Sequence, residues 1–186
     1  MEVGVAHPAT NELREAMTDD VAFRSWYDRV LPRVYAYLVA RTRDGELAEE
    51  LTQQVFIAAI DRRTSFDGRS DSVTWLCSIA RHKLADHFRR LEREERRVAR
   101  VVVREIELAS PGDAWTAVES REAIASALAS LPASQRAALI FVDLDELPVR
   151  EAARLLRRSP QATQSLVTRA RASFRAMYEP GVRDVR

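Results

Sequence analysis

A chain of 186 residues with 46% hydrophobic content can bury one core of ordinary size or two small ones, and no apolar run is long enough to span a bilayer. Its 29 bases nearly cancel its 28 acids, so net charge excludes nothing about partners and the information lies in where the charges cluster. A single cysteine, Cys77, excludes an internal disulfide, and histidines only at positions 7, 82 and 87 give no zinc-like spacing, so neither a metal nor another cofactor is expected.

The amino-terminal stretch MEVGVAHPATNELREAM lacks a basic start, an apolar run and a cleavage site, which predicts a cytoplasmic chain without membrane insertion. Residues 1–20 read as a tail. Beyond them nearly all periodicity is helical, with five glycines and no alternating apolar pattern between turn signals, so the expected fold class is all-α. A first helix is predicted from Val21 to about Arg43, on which Phe23, Tyr27, Val30, Val34, Tyr37 and Leu38 recur at three and four residues. Asp19 or Asp20 is its N-cap, and Pro32 is a place to kink or divide it. The RDG turn, Arg43 to Gly45, leads into a second helix from Glu46 to about Arg62, with Leu47, Leu51, Val55 and Phe56 facing inward and Glu49, Glu50, Gln53 and Gln54 outward. Residues 44–61 carry five acids and no base.

After the loop TSFDGRSDS a third helix, Ser72 to about Arg97, opens with WLCSIARHKLADHFRR. Successive residues about 100° apart place Trp75, Leu76, Cys77, Ile79, Ala80, Leu84 and Phe88 on one arc and Ser78, Arg81, His82, Ala85 and Arg89 on the other. The first arc is core. The second lies in a region, 81–100, with eight bases and four acids, and is either a solvated face or a surface for nucleic acid. Periodicity falters from Val98 to Val118, where ASPGDAW reads as part of a linker (98–118) between two domains, 21–97 and 119–180. Helices are predicted over Glu119–Ser130 and from Pro132 to about Val142, and residues 181–186 form a tail.

Between them lies LPVREAARLLRRSPQATQSLVTRARASFRAMY, with seven arginines and one acid, Glu151, from Pro148 on. A short helix, Val149 to Leu156, stops at Arg157 and Arg158, and Ser159 caps another whose first residue is Pro160, where a missing N–H costs nothing. Two helices so joined are a helix-turn-helix or an ordinary helical hairpin. Leu166 or Val167, Ala170, Phe174 and Met177 pack inward, leaving Gln161, Gln164, Ser165, Thr168, Arg169 and Arg171 outward, groups able to bond base edges and phosphates. Lys83 is the only lysine, so arginine is the general-purpose base of this chain.

LAEELTQQVFIAAI followed by WLCSIARHKLADHFRR resembles region 2 of bacterial sigma-70 family factors of the extracytoplasmic-function (ECF) type. LPASQRAALIFV with EAARLLRRSPQATQSLVTRARASFR resembles their region 4, so the likeness runs from about Val21 to Tyr178 in the family's order. It implies a subunit that binds RNA polymerase core and directs it to promoter DNA, region 2 melting the minus-ten element and region 4 reading the minus-thirty-five element. Under it, Glu49, Glu50, Gln53 and Gln54 match the face that docks on the clamp helices of the largest polymerase subunit, with the flap of the second subunit a further contact. Phe66, Asp67 and Ser70 match a loop that holds a flipped base, and Ser78, Arg81, His82, Lys83, Arg89 and Arg90 a track for the melted strand. Gln161, Gln164, Ser165, Thr168 and Arg169 fall on the recognition helix, where Arg169 suits guanine and Gln164 adenine, each worth about 1–3 kcal/mol of discrimination. Arg157, Arg158 and Arg171 fall at phosphates, and an anti-sigma factor is the usual further partner. The chain departs from the family pattern with His82 for asparagine, Leu47 for aspartate, Arg157 for the turn glycine and Gln164 at an often basic position.

Two rival classes make different demands. A free-standing helix-turn-helix regulator, dimerising through its N-terminal helices, would occupy a palindrome without polymerase. An enzyme would need paired carboxylates, a glycine-rich phosphate loop or a nucleophile beside a base, and no such spacing occurs; His82 and Asp86, four apart, read as a one-turn helix contact.

Overall fold

Asp19 begins the first helix, α1 (Asp20–Thr42): its backbone is extended and its carboxylate accepts the Ala22 N–H at 3.1 Å, satisfying a donor that a helix start leaves without a partner. Pro32 lies within α1 without dividing it. The helix closes at Arg43, whose φ of 56° is left-handed and whose N–H returns to the Val39 carbonyl. The left-handed residue of the RDG turn is therefore the arginine, and Gly45 is the first residue of α2 (Gly45–Asp61), capped by the Asp44 carboxylate on the Leu47 N–H. A short 3-10 turn (Arg63–Ser65) follows, then α3 (Ser72–Val101), α4 (Ala117–Ser130), α5 (Ala133–Leu139), α6 (Val149–Leu156) and α7 (Pro160–Tyr178). The computed structural model describes Ala16 and residues 19–66, 70–101 and 117–178, among which no strand occurs, and the fold is all-α. Asp67, most of the predicted linker, most of the N-terminal tail and all of the C-terminal one lie outside the described residues.

Packing divides the chain after Leu84, inside α3, into two compact units. In the first, Trp26, Val30, Val34 and Leu38 of α1, Leu51, Val55 and Phe56 of α2, and Leu76, Ile79 and Leu84 of α3 are buried. Trp26 was absent from the expected three-four series, yet it is the largest buried side chain there; it meets the Phe56 ring edge-on at 6.0 Å and donates its indole N–H to Ser72 Oγ at 3.1 Å. That bond satisfies a buried donor and acceptor together and ties α1 to the start of α3. Phe23, Tyr27 and Tyr37, which the periodicity places inward, are half-buried.

The second unit begins at Ala85, so it takes in the C-terminal half of α3. Ala85, expected on the outward arc, is 1% exposed. It lies beside the buried Leu84 and Phe88, so the buried stripe of α3 is wider there than the arc drawn from the periodicity. Beyond α5, a π turn (Ile140–Leu144) carries the helical run on, with the Asp145 N–H bonded to the Ile140 carbonyl at 2.8 Å, where periodicity had suggested one helix ending near Val142. Leu131, Leu139 and Ala170 form a buried cluster against which Leu128, Phe174 and Met177 pack.

Candidate nucleic-acid interface

The turn between α6 and α7 is set by backbone hydrogen bonds. Arg157 is left-handed (φ 53°, ψ 48°), its N–H bonds the Arg154 carbonyl at 3.2 Å and the Arg158 N–H bonds that of Ala153 at 2.9 Å. This is the paired closure that glycine usually provides, so an arginine holds the same conformation at a cost of about 1–2 kcal/mol. Ser159 Oγ then accepts the Ala162 N–H at 3.1 Å, with Pro160 as the first residue of α7. Thr163, in neither the inward nor the outward set read from the sequence, is fully buried and its hydroxyl donates to the Ser159 carbonyl at 3.0 Å; its place in the series with Leu166, Val167 and Ala170 was the available signal.

Gln161, Gln164, Ser165, Thr168, Arg169 and Arg171 are all exposed on α7. Several are held by neighbours: the Thr168 hydroxyl donates to the Gln164 carbonyl at 3.1 Å, Arg169 Nε to the Ser165 carbonyl at 3.4 Å, and Arg171 Nε to the Asp143 carboxylate at 3.1 Å. The bond to Asp143 holds the Arg171 guanidinium above its ordinary pKa.

Along α3, Ser78, His82 and Arg90 are exposed, whereas Arg81, Lys83 and Arg89 are half-buried. The Ser78 hydroxyl donates to the Trp75 carbonyl at 2.7 Å, and Arg89 is ion-paired with Asp86. Burial lowers the pKa of Arg89, and the neighbouring guanidiniums of Arg157 and Arg93 lower it further. Phe66 is 2% exposed with its ring 5.2 Å from that of Trp75, so the ring is committed to the interior, and Ser70 beyond it is half-buried. Sequence reasoning missed Asp71, which begins α3: its carboxylate accepts the Val73 and Thr74 N–H groups and, at 2.6 Å, the Thr74 hydroxyl. The hydroxyl bond above all holds this carboxyl below the usual carboxylate range. The signal was the local order Asp-Ser-Val-Thr ahead of an apolar run.

On α2, Glu49, Glu50 and Gln53 are exposed, and the half-buried Gln54 amide donates to Glu50 at 2.9 Å. Ile57 and Ile60 are exposed at 62% and 41% further along the helix. Among the described residues no three His, Cys, Asp or Glu side chains gather as a metal site would require, and no helix is long and apolar enough to cross a membrane.

Two family models match, Sigma-70 region 2 at residues 26–94 and Sigma-70, region 4 at residues 121–174. The ECF RNA polymerase sigma factor SigM of Bacillus subtilis (strain 168) is 30% identical over 158 residues, 85% of this chain and 96% of that relative. SigC of Mycobacterium tuberculosis (strain CDC 1551 / Oshkosh) is 34% identical over 145 residues, 76% of each chain. A solved structure of the sigma factor RpoE in complex with the anti-sigma factor NepR, from Bartonella quintana, has a TM-score of 0.53 at 23% identity, covers 87% of this chain and 98% of its own, and speaks for the fold alone. With both regions matched in order and a full-length relative at this identity, the chain belongs to the sigma-70 family, among the ECF RNA polymerase sigma factors.

Proposed function

We propose that this chain is a dissociable subunit that binds RNA polymerase core, directs it to promoters, and has no catalytic site of its own. One observation carries the assignment of its surfaces: α2 exposes acids and no base, while α7 exposes arginines and no acid. Phosphate repels the first and attracts the second, so Glu49, Glu50, Gln53 and Gln54 address a protein, the clamp helices of the largest polymerase subunit. On α7, Gln161, Gln164, Ser165, Thr168 and Arg169 read the minus-thirty-five element, and Arg157, Arg158 and Arg171 contact its phosphates. Unstacking a minus-ten base costs a few kcal/mol, which Ser78, Arg81, His82, Lys83, Arg89 and Arg90 offset as a track for the freed strand. Because the Phe66 ring is turned inward, the loop's contribution to that base falls to Ser70 and Asp67.

Under this proposal residues 21–97 and 119–180 act as the two functional domains, the polymerase flap supports the second, and an anti-sigma factor in the cytoplasm holds the free chain. Run-off transcription with purified core polymerase tests it. A promoter-dependent transcript is expected; absence of any, together with a symmetric footprint on a palindrome without polymerase, would make the chain a free-standing regulator instead.

A further inference from the structure

Within the second unit, one carboxylate of α3 occupies a guanidinium assigned above to DNA. Glu92, whose side chain is 17% exposed, accepts from Arg96 on its own helix at 2.7 Å and also from Arg158 in the helix-turn-helix, 66 residues away in sequence. The Arg158 side chain is itself only 26% exposed. One turn further along α3, both oxygens of Glu95 lie 3.1 Å from the Ala133 N–H at the start of α5. Pro132 precedes that helix and offers no capping side chain, so Glu95 supplies the acceptor from another helix. Glu95 also counters the burial that lowers the pKa of Arg136. A lone solvated ion pair is worth little, but these two contacts are part-buried, mutually supporting and charge-assisted.

We infer that α3 carries an internal latch, in which Glu92 fills the phosphate position at Arg158 and Glu95 holds the same helix to α5, so that duplex DNA must displace Glu92 before the turn can be used. The inference rests on the assignment of Arg158 to a phosphate. Carboxylate and phosphate present the same kind of anionic oxygen to a guanidinium, and Arg158 at this exposure has little room for both. Displacement leaves Arg96 and Arg158 without that carboxylate, and Arg157, next to Arg158 in the turn, is close enough to Arg89 for their like charges to repel. Opening the latch therefore uncovers a cluster with a stronger claim on a polyanion. Glu94, on the same turns of α3, instead pairs with Arg97 in solvent, the two side chains 53% and 77% exposed, and provides a charge-matched control.

The test is the affinity of the free, full-length chain for a labelled mixed-sequence duplex of about 30 base pairs, read by anisotropy at low salt without polymerase, because a phosphate contact is independent of sequence. Glu92→Gln keeps the side chain's size and should tighten binding about fivefold or more. Glu94→Gln removes the same charge from a solvated pair and should change it less than about twofold. In an Arg158→Ala background, Glu92→Gln should gain no more than Glu94→Gln does. Equal effects of the two glutamate substitutions, or a gain that persists without Arg158, would overturn the latch in favour of general charge repulsion. Retention of promoter DNA by the polymerase-bound chain separates the underlying assignment: if Arg158→Ala leaves it unchanged, the phosphate role falls and the latch with it. If Arg158→Ala weakens retention while Glu92→Gln brings no gain to the free chain, only the latch is lost.

Discussion

Helices α2 and α7 are built alike and carry opposite charges on their outer faces. Each starts from a polar cap, Asp44 or Ser159, and each buries a three-four stripe, Leu51, Val55 and Phe56 in one, Leu166, Val167 and Ala170 in the other. They differ in the residues left over: α2 has four acids and no base, α7 three arginines and no acid. Folding uses the inner stripe and is indifferent to the sign of the outer charges, so two helices of one design can serve a protein surface and a DNA groove.

The comparison breaks if the outer face turns out to hold the helix together. Phe56→Ala should cost about 3–5 kcal/mol and Leu166→Ala about 2–5, whereas Glu49→Gln should stay within about 0.5 kcal/mol of the parent in urea unfolding. A Glu49 effect rivalling that of Phe56 would mean that the acidic face is structural. A pair of substitutions read in both assays sharpens the contrast. Arg169→Ala should lose about 1–3 kcal/mol of discrimination at one or two upstream base pairs while core affinity survives. Glu50→Lys should do the reverse, weakening association with core about tenfold through a reversed charge and leaving upstream discrimination intact. Parallel losses in both assays would erase the division of labour.

Much of this was legible in the residues, and each failure has a physical cause. Val149–Leu156 and the Ser159-Pro160 start of α7 were readable because caps and proline act locally. Trp26 was missed because α1 offers two overlapping aromatic series, and only a partner 46 residues away, Ser72, decides which one turns inward. Ala85 was misplaced because an alanine fits either face of a helix, and the buried stripe widens to include it beside Leu84 and Phe88. The π turn after α5 has no marker, since one extra residue in a turn leaves the apolar spacing almost unchanged. The outward face of α7 was readable, but the holding of Arg171 by Asp143 and of Arg158 by Glu92 was not, because ion pairs between distant segments leave no local pattern.

A smaller effect separates the two turns that precede these helices. Arg43 and Arg157 both take left-handed backbone where glycine is easiest. Arg157→Gly should relieve strain and raise unfolding stability by roughly 1 kcal/mol, while weakening DNA binding through the lost guanidinium. Thermal unfolding alongside duplex binding checks both signs; a stability loss would show that the arginine side chain, rather than backbone hydrogen bonding, holds the turn.

The smallest expected effect distinguishes the caps of the two basic helices, α3 and α7. Ser159 does not titrate at acid pH, whereas Asp71 is a carboxylate held below its ordinary range, chiefly by the Thr74 hydroxyl. A carboxyl with a lowered folded-state pKa stabilises the fold above its unfolded value, about 3.9, and that contribution disappears as pH falls through the folded value. Asp71 is largely solvated, so screening limits the difference to a few tenths of a kcal/mol. Asp71→Ser gives α3 the same kind of cap as α7, and the stability gap between parent and variant should narrow below about pH 4 while staying constant from about pH 5 to 7. A gap that stayed level through the acid range would mean that the Asp71 charge adds nothing to its hydrogen bonds, and that the two caps differ only in name.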